Sequence, residues 1–210
     1  MNYTAHLSLH TSKKEEKVMV YIKSKREIEI MKEACKIANL AQKAVEKAIK
    51  PGITTYELDQ IAEKTIREHG GIPAEKGYPS GEKGIPDFPA SICASVNDEV
   101  IHGIPSKKVV LKEGDIVSID LVAYKNGFNG DCARTYIVGK ASREDERLVE
   151  ITKQAFFEGI KFAKQGNRLR RCITCNWRIH RKKWLLSCKR VSRSWNRKTN
   201  AWRSRNTKLW

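Results

Sequence analysis

The chain has 210 residues, enough for one domain or a small two-lobed one. It contains no run of 18 apolar residues and no apolar stretch of signal-peptide type near its start, so neither a membrane span nor secretion is expected. The formal charge of +17 averages two unlike parts: every Asp and Glu lies at or before Glu158, while 17 Lys and Arg and all five Trp lie after it. Up to Glu158 the 24 basic residues balance the 24 acidic ones. A cytoplasmic location follows by default, where the six cysteines need not form disulfides.

Residues 1–18 are polar and aperiodic and are expected to be a disordered extension. Met19 begins a stretch that reads as a natural start. Ser24 and Glu27 form a capping box, in which each residue satisfies the other's free backbone N–H. A helix is expected to follow to about Lys50, with Ile28, Met31, Ile37, Ala38, Ala41, Val45 and Ile49 near one face. Cys35 on this helix reads as core. Pro51-Gly52 ends the helix. Thr54 and Glu57 repeat the capping signal, and Leu58, Ile61, Ala62 and Ile66 mark a second helix that stops at Gly70-Gly71.

Pro73 to Pro89 is rich in Gly and Pro and reads as a loop. Ser91 to Val96 reads as a strand, and Asn97-Asp98-Glu99 as a solvated turn. His102 then precedes the rigid turn Gly103-Ile104-Pro105. Ile116 to Tyr124 and Phe128 to Val138 read as the arms of a β-hairpin, with Asn126-Gly127 as its two-residue turn. Beyond it, Ser142 and Asp145 start another helix. Its stripe of Leu148, Ile151, Ala155, Phe156, Ile160 and Ala163 reads as core up to Gly166.

The hairpin carries two aspartates, Asp120 and Asp131, inside strands where Asp is normally depleted. If Lys125 pairs with Phe128, then Val122 pairs with Asp131 and both carboxylates face the same side. They would be diagonal neighbours about 7–8 Å apart at Cα. Two such groups repel and resist desolvation, and a divalent cation between them removes both costs. The plainer reading is a hairpin whose aspartates simply face water.

The block N-D-E-V-I-H-G-I-P, followed by D-x10-D with the second Asp in G-D-C-A-R-T, resembles the type I methionine aminopeptidases. The resemblance covers about Tyr21 to Gln165. It implies an α+β chain with the pita-bread (creatinase/aminopeptidase-like) fold, its first half present and its second half largely missing. It implies two divalent metal ions, of cobalt, manganese, iron or zinc, with Asp120 and Asp131 among their ligands. His102 would lie at the substrate as the catalytic histidine, and Cys93 and Phe88 would line the pocket for the methionine side chain. Family members often place a Tyr near Ile85, which this chain lacks. The implied activity is removal of the initiator methionine from nascent peptides, by a monomer working near the ribosome and not at a membrane. A water held by the metal pair would attack the carbonyl after that methionine. The remaining ligands would be a His and two Glu. No acidic residue follows Glu158, and His180 does not match the motif, so negligible activity is expected of this polypeptide.

Residues 19–166 therefore form the expected half-domain, and 167–210 a basic, Trp-rich tail. Three readings of the tail stand. Basic residues interleaved with tryptophans suit nucleic acid, and Cys172, Cys175, His180 and Cys188 approach a zinc knuckle with the last spacing too long. A solvated basic tail is the second. The third is translation in a shifted frame. With freely chosen codons, Trp195–Lys198 can be reread as His-Gly-Ile-Gly-Arg, and Asn206–Trp210 as containing Ile-Pro-Asn-Tyr. Cys172–Trp177 likewise yields Asp-Val-Ser-His-Ala-Ile. In that order these words resemble the family's continuation. A ribosome-binding protein with a non-catalytic half-fold and an Xaa-Pro peptidase are the rival functions.

Overall fold

The structure, a computed structural model, describes residues 22–81 and 83–182. The expected extension 1–18, the start at Met19 and the stretch 183–210 lie outside the described residues.

Both capping boxes form. The Ser24 N–H donates to Glu27 Oε2 at 2.7 Å and the Glu27 N–H donates to Ser24 Oγ at 3.3 Å, opening α1 (Lys25–Ala48). Thr54 and Glu57 do the same for α2 (Thr55–Glu68). Each box satisfies two backbone donors that a helix start would otherwise leave free. Along α1 the buried stripe is Ala34, Ile37, Ala38, Ala41, Gln42 and Val45. Cys35 sits one residue off that stripe and is exposed, so the core reading of it is corrected. Ile28, at the first turn, is also exposed.

The sheet has four antiparallel strands centred on β3 (Ile116–Lys125). Strand β4 (Phe128–Ile137) pairs along its whole length. Strands β2 (Cys93–Val96) and β1 (Ile72–Pro73) pair with β3 residues 117–120 and 123–124. The same β3 residues also pair with β4, so β1 and β2 share the opposite edge. Strand β1 was not anticipated, because two residues ending in Pro carry no strand pattern; Pro is tolerated there at an edge. The pairing continues one residue further, where the Ala74 N–H donates to the Val122 carbonyl at 2.9 Å. The hairpin turn has positive φ at both Asn126 (50°) and Gly127 (88°), the backbone that a two-residue loop needs to match strand twist.

Alternation along β3 buries Val117, Ile119, Leu121 and Ala123, which pack with Ile37, Ala41, Val45, Leu58, Ala62 and Ile66 of the two helices. Gln42 is fully buried among them, and its Nε2 donates to the Ile119 carbonyl at 3.1 Å. Strand β4 crosses α1 so closely that a Cβ on Gly130 would overlap the backbone of Ala34 and Cys35. Glycine at 130 is therefore a packing requirement.

Ser142 caps α3 (Arg143–Ile160), with its Oγ accepting from the Asp145 N–H at 3.1 Å. The acidic first turn of Glu144, Asp145 and Glu146 complements the helix dipole. Only part of the expected stripe is core. Ile151 and Ala155 are buried, whereas Leu148, Phe156 and Ile160 are exposed, and the helix ends before Ala163. The reason is packing: α3 meets β4 only lightly and packs chiefly against α4 (Leu169–Lys182). Among the described residues no helix is long and apolar enough to cross a membrane.

Candidate metal centre

The strand register is the one expected from the turn: Lys125 opposite Phe128, and Val122 opposite Asp131. Asp120 has the opposite parity to the buried set Val117, Ile119, Leu121 and Ala123, so its carboxylate leaves the face turned away from the helices. Asp131, beside Val122, shares that face. A hydroxyl pair on the same face, Ser118 Oγ and Thr135 Oγ1 at 2.9 Å, confirms the alternation. Burial raises the Asp120 carboxyl above its ordinary range, the negative charge of Asp131 raises it further, and His102 opposes both. Asp120 therefore lies within electrostatic reach of both Asp131 and His102.

His102 is held in an unusual backbone state, with φ of 59° in the left-handed region. The next residue explains how it is held. The Gly103 carbonyl accepts from the Ala94 N–H at 2.8 Å, and the Gly103 N–H donates to Ser95 Oγ at 3.1 Å. The H-G-I-P segment is thus fastened along β2, and a Cβ on Gly103 would overlap the Ala94 carbonyl. The turn before it behaves as expected: Asn97 Oδ1 accepts from the Ile116 N–H at 2.9 Å, and Glu99 Oε2 accepts from the Val96 N–H at 3.0 Å.

Cys93 lies directly opposite Asp120 across the β2–β3 ladder and is buried against Phe88 and Ala90. Burial pushes its thiol well above the usual range, with the charges of Glu75 and Asp120 acting in the same direction. Its burial with Phe88 and Ala90 makes it a packing group. Phe88 is fixed by a two-bond ladder: its N–H donates to the Tyr78 carbonyl at 3.0 Å, and its carbonyl accepts from the Gly77 N–H at 2.8 Å. All five residues singled out in the sequence, Phe88, Cys93, His102, Asp120 and Asp131, thus belong to one side of the sheet and its adjoining loops.

Two further acids emerge from the fold. Glu75, just past β1, is pushed up to about 9 by burial and by the charges of Asp120, Asp131 and Asp59. Its carboxyl lies beside the Cys93 side chain, and the two act on each other's proton affinity. Its Oε2 is buried without a hydrogen-bond partner. Asp59 on α2 is 3% exposed; its Oδ1 accepts from the Ser91 N–H at 2.7 Å and the Ile92 N–H at 3.1 Å. It pins the segment that leads from Phe88 into β2. Glu75 gave no signal in the sequence because a charge in a Gly/Pro-rich loop reads as solvated. Asp59 could have been suspected from its place on the Leu58–Ala62 side of α2.

Paired carboxylates are suitable donors for a divalent cation, which prefers hard oxygen ligands. They supply only two ligands. Among the described residues no group of three or more His, Cys, Asp or Glu is arranged to hold a metal ion. The donors present therefore fit a divalent ion in kind, and a closed site requires further ones.

Residues 29–174 match metallopeptidase family M24, and the chain belongs to that family. Within it, the similarity is to methionine aminopeptidases. The methionine aminopeptidase of Clostridium acetobutylicum is 50% identical over 151 residues, which is 72% of this chain and 58% of that protein. The crystal structure of the Thermotoga maritima methionine aminopeptidase superposes with a TM-score of 0.74 at 37% identity, over 79% of this chain and 64% of that one. A prolidase from Pyrococcus furiosus shares the fold, with a TM-score of 0.65, but only 27% identity and 44% of its length. The higher identities favour the methionine lineage over the Xaa-Pro one, and nothing in these relationships favours a nucleic-acid- or ribosome-binding protein. The fold is thus the pita-bread fold over part of its neighbours' length, and the chain spans little more than half of the curated relatives it matches. Membership of the family implies divalent metal ions.

Proposed function

We propose that this chain carries the metal-binding hairpin of an aminopeptidase that removes the initiator methionine from nascent proteins. The observation that supports it most is the placement of Asp120 and Asp131 on one sheet face beside His102, in a stretch of 151 residues that is 50% identical to a methionine aminopeptidase. In this reading Asp120 and Asp131 hold the divalent ions, which are cobalt, manganese, iron or zinc. Bound there, such ions polarise a carbonyl and acidify water. His102, fixed by Gly103 against β2, steadies the scissile amide. Phe88 and Cys93 form an apolar wall for the first side chain, with Asp59 holding that wall in place. The substrates are nascent peptide N-termini, met by a monomer in the cytoplasm near the ribosome.

Residues 19–166 are the half-domain that does this, and 1–18 are an extension. We read 167–210 as a segment translated in a shifted frame, although residues 169–182 form α4. Sequencing the DNA around the Arg168 codon tests that reading; a verified, unbroken frame would overturn it. Two carboxylates do not complete a metal centre, so the 210-residue polypeptide alone, given cobalt or manganese, is expected to release no methionine from Met-Ala-Ser. The functional reading is tested by a chimera. Residues 22–166 replace the matched stretch of the Clostridium acetobutylicum relative, and methionine release is measured. Release that disappears with Asp120→Asn and with Asp131→Asn supports the reading. A folded, metal-loaded chimera without activity defeats it.

A further inference from the structure

The turn after α3 and the whole of α4 concentrate positive charge. From Gly159 to Lys182 the chain holds eight Lys and Arg and no Asp or Glu. Where α3 opens on an acidic turn, α4 opens with Arg170 and Arg171 and has no acid in its first turn. Cations at that end oppose the helix dipole. These side chains are gathered rather than scattered. A cavity of about 580 Å³ is lined by Arg168, Arg170, Arg171 and Arg178, with Thr174 and Phe162 beside them. Residues 171, 174 and 178 have the three-to-four spacing that places them on one face of α4. Arg171 is already held in position. Its Nη1 donates to Asn167 Oδ1 at 3.0 Å, and its guanidinium lies over the Phe162 ring, 5.4 Å from the centroid. Among the described residues no carboxylate forms an ion pair with any of the four arginines.

We propose that this arginine-lined cavity binds linked phosphate groups, as carried by a free polyphosphate or by a nucleic-acid strand. A guanidinium is always charged and presents a planar fork of donors that matches phosphate oxygens. A single phosphate engages only one or two such forks, so four arginines around one cavity suit a run of phosphates. Arg171, fixed by Asn167 and Phe162, gives up little further freedom on binding, and the Thr174 hydroxyl adds a neutral donor. An anion seated here also relieves the repulsion among the arginines and their conflict with the α4 dipole. The cavity draws on none of the hairpin residues. It belongs to the polypeptide as it stands, whatever the origin of residues 167–210, and does not depend on the aminopeptidase activity.

The test is calorimetry of the full 210-residue chain with inorganic triphosphate, which should show saturable binding that weakens as salt is raised. Arg171→Gln with Arg178→Gln should weaken that binding roughly tenfold or more. Lys43→Gln with Lys47→Gln removes the same charge from exposed positions on α1 and should change it by less than about twofold. Arg178→Gln alone leaves the Asn167 and Phe162 contacts of Arg171 in place. It replaces the double variant should circular dichroism show a loss of helix, and should cost about threefold. Competition with a single-stranded oligonucleotide separates the two sources. Displacement of triphosphate that requires the same arginines assigns the cavity to a nucleic-acid strand, and failure to displace assigns it to a free polyphosphate. No saturable binding, binding indifferent to both arginine variants, or an equal loss with the α1 control would overturn the proposal.

Discussion

Replacing Glu75 by Gln in the metal-free protein tests the electrostatics of the site without any need for catalysis. Burial and three neighbouring carboxylates lift Glu75 from its ordinary 4.5 to about 9. The folded chain then retains a proton that the unfolded chain releases above about pH 4.5. By linkage, a raised carboxyl costs stability progressively as pH climbs from the unfolded value toward the folded one. One proton corresponds to roughly 1.4 kcal/mol per pH unit. Glu75 is part-buried rather than fully enclosed, so between about pH 5 and 7 the loss is on the order of 1–3 kcal/mol. Glu75→Gln keeps the shape and hydrogen-bonding capacity but cannot ionise. Urea denaturation with a chelator present, repeated across this range, should show the parent losing stability relative to the variant by that amount. The two should converge near pH 5. Parallel profiles, with a constant difference at every pH, would refute the reasoning and place Glu75 in water.

Other consequences concern the scaffold. Gly130→Ala forces a Cβ into the Ala34–Cys35 backbone, and since a helix backbone cannot yield as a side chain can, a loss of about 1–3 kcal/mol is expected in chemical denaturation. Unchanged stability would mean that α1 and β4 are further apart. Asp59→Leu strips the Ser91 and Ile92 amides of their acceptor and should cost about 2–4 kcal/mol. Asp59→Asn, which keeps one oxygen acceptor, should recover part of that, and amide exchange at Ser91 and Ile92 should report the difference residue by residue.

Much of this arrangement was legible in the residues because local chemistry agreed with the global fold. Two capping boxes set the starts of α1 and α2, and Asn126-Gly127 set the hairpin register, which in turn placed Asp120 and Asp131 on one face. What could not be read depended on contacts between distant segments. Cys35 reads as core by composition, yet one step around the helix puts it outside the stripe made by Ala34, Ile37 and Ala38. Phe156 and Ile160 have core spacing, but burial needs a partner and the described residues supply none for that side of α3. Glu75 acquires its character only when β1 joins the edge of β3 and carries it toward the aspartates and Cys93. No periodicity signals a two-residue strand.

The measurement that bears most directly on the account is a manganese titration of the 210-residue protein followed by electron paramagnetic resonance. The free-ion signal should fall as ions bind, with the weak affinity that two carboxylates provide. Asp120→Asn and Asp131→Asn should each abolish that binding, while Glu144→Asn on the exposed first turn of α3 should leave it intact. Binding that survives both hairpin substitutions, or is lost equally with the α3 control, would contradict the assignment of the hairpin as the cation-gripping element.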